Sequence, residues 1–248
     1  MSDVQSPPGR RDQLSERERT RIEGSFGTVL ILLIITVFFS ISAPDEPWAE
    51  LATAIVLAIA LSITMLASGA RPRIVRIWLG VAVLGIGVSI IIALTQVGPA
   101  SGYLALTNLF LTLVTMNGLV RRLWQNAEIS VLTVLGALCV YVLLGLSFGF
   151  AFAAVGEIGS RPFFASQERG TLSDYMYFSF VTLATLGYGD LTPQGGIGRA
   201  LAVTEGLMGQ IYLVTAVAAL VSNIGRARTP RQLRDRETLQ DIERKDRR

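Results

Sequence analysis

The chain contains no histidine and a single cysteine, Cys139. The first absence excludes a histidine-based metal centre and a histidine general base. The second leaves no intrachain disulfide, so Cys139, inside a long apolar run, reads as a packing residue. Charge is also scarce, at 17% of 248 residues, and it avoids long stretches of the chain. Tyr103 to Val120 holds no Lys or Arg, and nothing similar to residues 171 to 192 recurs elsewhere. No catalytic constellation or nucleotide-binding motif stands out, which points away from an enzyme and from a pump.

What is present is apolar sequence in long runs. Hydrophobic residues make up 51% of the chain and the mean hydropathy is +0.50, the composition of a polytopic membrane protein. Six runs approach the roughly 17 to 25 residues that cross a hydrocarbon core. They are Phe26 to Ala43, Ala49 to Ser68, Ile74 to Val97, Tyr103 to Val120, Ile129 to Val155 and Ile197 to Ile224. The small residues Gly80, Gly85 and Gly87 in the third run suit close helix packing.

The distribution of Lys and Arg sets the orientation. With the amino terminus inside, segments 1–25, 69–76, 121–128 and 225–248 face the cytoplasm. They hold five, three, two and nine basic residues, together 19 of the chain's 22. The other three, Arg161, Arg169 and Arg199, lie on the outer side. This excess predicts a multi-pass protein of the cell membrane with both termini cytoplasmic. Segment 1–25 alternates Arg with Glu and Asp, as in a solvated helix or a disordered tail, and neither a nucleic-acid site nor a cleaved signal peptide fits it. Segment 226–248 is a short charged tail without a convincing heptad or an evident gating domain. An ordinary solvated tail is the expectation, with membrane lipid as the alternative contact of its basic residues.

Between the fifth and sixth runs stands Thr185-Leu186-Gly187-Tyr188-Gly189-Asp190, preceded by an apolar stretch from Tyr175 to Ala184. Thr171-Leu172-Ser173-Asp174 has the form of a capping box, so a helix begins there and ends near Ala184, too short to span. These residues resemble the pore loop of the potassium-channel superfamily. From Ile129 to Ile224 the chain is similar to the two-helix pore module of prokaryotic channels. The resemblance implies an all-α membrane protein of six transmembrane helices, with a re-entrant pore helix and filter between helices five and six. It also implies a homotetramer, because one chain supplies one filter strand and a carbonyl ring needs four.

The residue roles follow from the same resemblance. Backbone carbonyls of Thr185, Leu186, Gly187 and Tyr188, with Gly189, would replace the water of a potassium ion, the permeant ligand; no cofactor is implied. Gly187 and Gly189 tolerate the dihedrals such a strand needs. Asp190, Thr182 and Phe178 would support the filter from behind, Thr182 by reaching the Tyr188 hydroxyl. Tyr177 and Phe178 stand where many relatives carry a Trp pair, and Val181 where some carry a Glu partner for the filter Asp. Asp190 therefore needs another partner or water. Gly209 aligns with a hinge glycine, with Gly206 as the alternative and close packing as the competing explanation. Glu205 is the one acid deep in a span, expected either to tune the cation potential or to bond a neighbouring pore helix. Gln210, Leu213 and Val217 are candidates for a cavity wall.

The domain reading is a tail at 1–25, a four-helix membrane domain at 26–128, a pore domain at 129–225 and a tail at 226–248. The fourth run lacks the intramembrane arginines of a voltage sensor, so strong voltage gating is not expected. The functional expectation is a potassium-selective channel passing ions passively. A weakly selective cation channel and a non-conducting regulatory subunit are the alternatives, and a channel-related transporter would require the missing filter repeats.

Overall fold

The computed structural model describes residues 27–42, scattered positions between 52 and 87, and residues 100–125, 131–166 and 170–219. The helices treated below are α1 (Gly27–Ser42), α2 (Ala100–Gln125), α3 (Val131–Ile158), α4 (Leu172–Leu183) and α5 (Gly196–Ala219). Among the described residues the extended pairing is limited to one isolated antiparallel bridge, Phe164 with Pro193. The protein is an all-α membrane protein. Among the described residues three stretches are long and apolar enough to cross a bilayer: Ser101–Arg121, Thr133–Ile158 and Gly196–Ala219. They coincide with the fourth, fifth and sixth runs of the sequence. Helix α1 lies within the first run, and the second and third runs lie largely outside the described residues, the few described positions there being helical.

Helix α2 sorts its residues by face. Leu104, Ala105, Asn108, Leu111, Thr112, Thr115 and Leu119 are buried at helical spacing, while Tyr103, Leu106, Phe110 and Leu113 point outward. Its buried hydroxyls bond back one turn, Thr112 Oγ1 to Asn108 O (2.7 Å) and Thr115 Oγ1 to Leu111 O (2.9 Å), so they bring no unsatisfied group into the apolar interior. Of the two asparagines noted in this run, Asn108 is buried and Asn117 is exposed.

Helix α3 is apolar on every side and correspondingly buried on most of them, Cys139 included. It runs antiparallel to α2. Gly102 at the start of α2 lies against Glu157 and Ile158, and Gly136 at the start of α3 lies against Leu123. Ser101 Oγ donates to Glu157 Oε2 at 2.8 Å, closing the same end.

Helix α4 packs antiparallel on α3. A Cβ on Gly145 would stand 2.7 Å from the Phe180 ring, and one on Gly149 2.5 Å from Met176 Sδ. Both glycines therefore let α4 approach more closely than any side chain would permit, which between membrane helices is how van der Waals attraction is gained. The outer loop joins this core. Phe163 and Phe164 of this loop are both buried, with Phe152, Tyr175 and Phe178 around them. Ring centroids lie 5.0 Å apart for Phe152 and Phe178 and 5.5 Å for Phe164 and Phe178, tilted edge to face as aromatic quadrupoles prefer.

The chain divides at Gly209 into two compact units, Met1–Gly209 and Gln210–Arg248. The described part of the second is helical and mostly exposed, with Thr215 Oγ1 bonded to Ile211 O at 2.7 Å; Gln210, Leu213 and Val217 all lie on its exposed surface.

Candidate functional site

The site grows from the two ends of α4. At its start Thr171 is the N-cap, in extended conformation. Its hydroxyl accepts from Asp174 N (3.2 Å) and the Asp174 carboxylate accepts from Thr171 N (2.9 Å), the reciprocal pair that the sequence pattern predicts. Ser173 Oγ adds a bond to Ile41 O at the end of α1.

At its other end α4 closes in a Schellman motif. Thr185 N donates to Thr182 O (3.0 Å) and Leu186 N to Val181 O (2.9 Å). The motif requires a left-handed residue just past the cap, a place glycine usually takes. Here it is Thr185, with φ at 56°. A β-branched residue rarely adopts this conformation, which costs about 1–2 kcal/mol. The Leu183 carbonyl, left over by the helix, accepts from the Tyr141 hydroxyl of α3 at 3.1 Å.

From Thr185 the backbone alternates in hand. Gly187 (φ 57°) and Gly189 (φ 80°) are left-handed, and Leu186 and Tyr188 between them are not. Such alternation turns successive carbonyls of an extended strand towards one side. The strand stands open along its length, with Leu186 56% and Tyr188 66% exposed. No hydrogen bond joins Thr182 to Tyr188 among the described residues, so that expected contact is not made within one chain.

Asp190 finds its partner in Tyr177, whose hydroxyl donates to Oδ2 at 2.8 Å. This bond raises the Tyr177 phenol above its ordinary pKa, so the phenol keeps its proton. Phe178 faces the opposite way, into the aromatic core, and supports α4 by packing. Beyond Asp190 the strand is stitched to the outer loop by Ala165 N to Thr192 O (2.9 Å) and Gln194 N to Phe163 O (2.8 Å). Arg199 Nε donates to Pro193 O at 3.1 Å.

Behind α4, Glu205 of α5 is fully buried and its Oε1 lies 2.5 Å from Ser179 Oγ. Gly209 sits against the end of α4, where a Cβ would come 2.6 Å from Leu183 Cδ1 and 3.1 Å from Leu183 O. Gly206 has open space around it. Close packing therefore accounts for Gly209 and not for Gly206.

Sequence reasoning missed four participants: Tyr141, Tyr177 as the acid's partner, Ser179, and the left-handed Thr185. A phenol 13 residues before Asp190, in the place of the Trp pair, was the one available signal among them.

A family model described as an ion channel matches residues 129–226. This segment is similar to an ion-channel domain. Several of its relatives are named as potassium channels. The chain is 28% identical over 139 residues to the inward rectifier potassium channel Kirbac3.1 of Paramagnetospirillum magnetotacticum, covering 52% of this chain and 45% of that one. It is 34% identical over 96 residues to protein LctB of Bacillus caldotenax, covering 38% of this chain and 65% of the relative. It is 39% identical over 59 residues to potassium voltage-gated channel subfamily KQT member 1 of Squalus acanthias, 24% of this chain and 9% of that one. The chain thus spans less than two thirds of each of these relatives. The matched segment begins and ends within a few residues of the pore module read from the sequence, and it contains every bond described above except those made by α1 and α2.

Proposed function

We propose that the protein is a potassium-selective channel of the cell membrane, a homotetramer in which four copies of residues 185–189 enclose one axis. Ions pass down their gradient. Carbonyls of Thr185, Leu186, Gly187 and Tyr188, with the Thr185 hydroxyl at the inner end, replace the hydration shell. The alternation of backbone hand along Thr185, Gly187 and Gly189 is the observation that carries this reading. A threonine held left-handed where glycine would be easier is consistent with selection for its hydroxyl. The negative end of the α4 dipole, at the cavity side, favours a cation. The chain has six spans with α4 re-entrant, and both termini are cytoplasmic. Tyr103 to Val120 carries no Lys or Arg, so gating through voltage is weak.

The test is ion flux from liposomes holding the purified full-length protein, with subunit number read by native mass spectrometry. Four chains per particle and potassium efflux that sodium does not match support the proposal. A stable monomer, or equal fluxes of the two ions, contradicts it.

A further inference from the structure

Behind the pore helix the hydrogen bonds leave one proton to be assigned. Ser179 Oγ lies 2.7 Å from Gly145 O and 2.5 Å from Glu205 Oε1. Ser179 and Glu205 are both fully buried. At these separations each oxygen pair must hold a hydrogen, since two bare lone pairs would repel. A serine hydroxyl brings one hydrogen and a backbone carbonyl brings none. If Glu205 were ionised, the single Ser179 proton would have to serve both contacts. Pointed at the carboxylate, it would leave the Gly145 carbonyl facing a lone pair. Pointed at Gly145, it would leave the carboxylate unpaired. The short distance to Glu205 suits either protonation state; the count of hydrogens does not.

The surroundings agree. Tyr141 of α3 is the titratable side chain that faces Glu205 among the described residues, and its hydroxyl is directed at Leu183 O. From α4 the facing group is Ser179, which carries no charge. On α5 the other charged residue is Arg199, more than a turn away. A buried carboxylate with no cation beside it is the costly state; the neutral acid is the cheap one. Glu205 Oε2 makes no hydrogen bond among the described residues, which a carbonyl oxygen bears better than half of a carboxylate does.

We propose that Glu205 stands as the neutral carboxylic acid, donating to Ser179 Oγ while Ser179 donates to Gly145 O, and that this one proton bolts α3, α4 and α5 together behind the exposed strand. Glu205 is then a positioning residue for the pore helix. Its ionisation breaks one of the two bonds, so the bolt loosens as pH rises.

The experiment is difference infrared spectroscopy on the full-length protein in lipid, wild type against Glu205→Gln. It reads a proton and not a current, so it stands or falls apart from the channel reading. The expected result is loss of a protonated-carboxyl C=O band in the variant, with the same band converting to carboxylate stretches when the wild type is taken to alkaline pH. Ser179→Ala serves if Glu205→Gln does not assemble: the acid loses its acceptor and the band moves to higher frequency. Loss of carboxylate stretches instead, or no protonated band that responds to either variant, overturns the proposal.

Discussion

The two sides of the short helix α4 are built on opposite terms. Its back is closed: Tyr175, Met176, Phe178, Ser179, Val181 and Leu183 are buried against α3, α5 and the outer loop. Its front leads into a strand, residues 184–190, every residue of which is exposed in the single chain. The same asymmetry divides the long helices. Helix α3 is mostly covered, whereas α5 leaves Ile197, Val203, Leu207 and Met208 open. One chain thus completes the scaffold and leaves the functional surface unfinished. The difference teaches that stability and function are separable here. Substitutions behind α4 act on the fold of one chain, and in the proposed tetramer substitutions in the strand act on what four chains make together.

That separation can be broken by experiment. The largest effect is expected from Gly187→Ala or Gly189→Ala. A Cβ at these positive φ values costs about 1–2 kcal/mol at each position, repeated in every subunit. Potassium current should be lost while helix content and the membrane-inserted fold, read by circular dichroism, stay close to wild type.

Next comes the pair Gly209→Ala and Gly206→Ala. The first places a methyl against the Leu183 side chain and carbonyl, an overpacking that costs about 1–3 kcal/mol. The second enters open space and should be neutral or stabilising by up to about 1 kcal/mol, the ordinary gain of Ala over Gly in a helix. Thermal unfolding midpoints in one detergent compare them. A fall for Gly206→Ala and none for Gly209→Ala would reverse the packing argument.

Thr171→Ala removes the N-cap of α4 and should lower stability by about 0.5–2 kcal/mol, seen in the same unfolding assay. The smallest stability effect belongs to Tyr177→Phe, which deletes an exposed bond to Asp190 and should barely move the midpoint. Because it ties the outer end of the strand, it should shorten the lifetime of the conducting state more than it shifts the unfolding midpoint. Single-channel dwell times check this.

How much of this was legible in the sequence depends on whether the physics is local. The start of α4 was, because a capping box is written in four consecutive residues, Thr171 to Asp174. Its end was also clear, since Gly187 and Gly189 announce unusual dihedrals. The long spans showed in composition alone. The left-handed Thr185 was not legible, because threonine resists that conformation and only the completed Schellman motif demands it. That Tyr177 is the partner of Asp190 and Ser179 that of Glu205 was hidden for another reason. The two bonds join residues 13 and 26 positions apart, across elements whose mutual rotation no periodicity reveals. Phe163 and Phe164 stand in a polar loop, and their places in the aromatic core are set by α3 and α4 and not by any local pattern.

The most direct measurement of the central claim is the reversal potential of the purified full-length protein in a planar bilayer, with potassium on one side and sodium on the other. The account predicts a reversal near the potassium equilibrium potential, since the strand from Thr185 to Gly189 is built to present carbonyls at a fixed spacing. A reversal near zero would contradict it and leave a pore that does not tell the two ions apart.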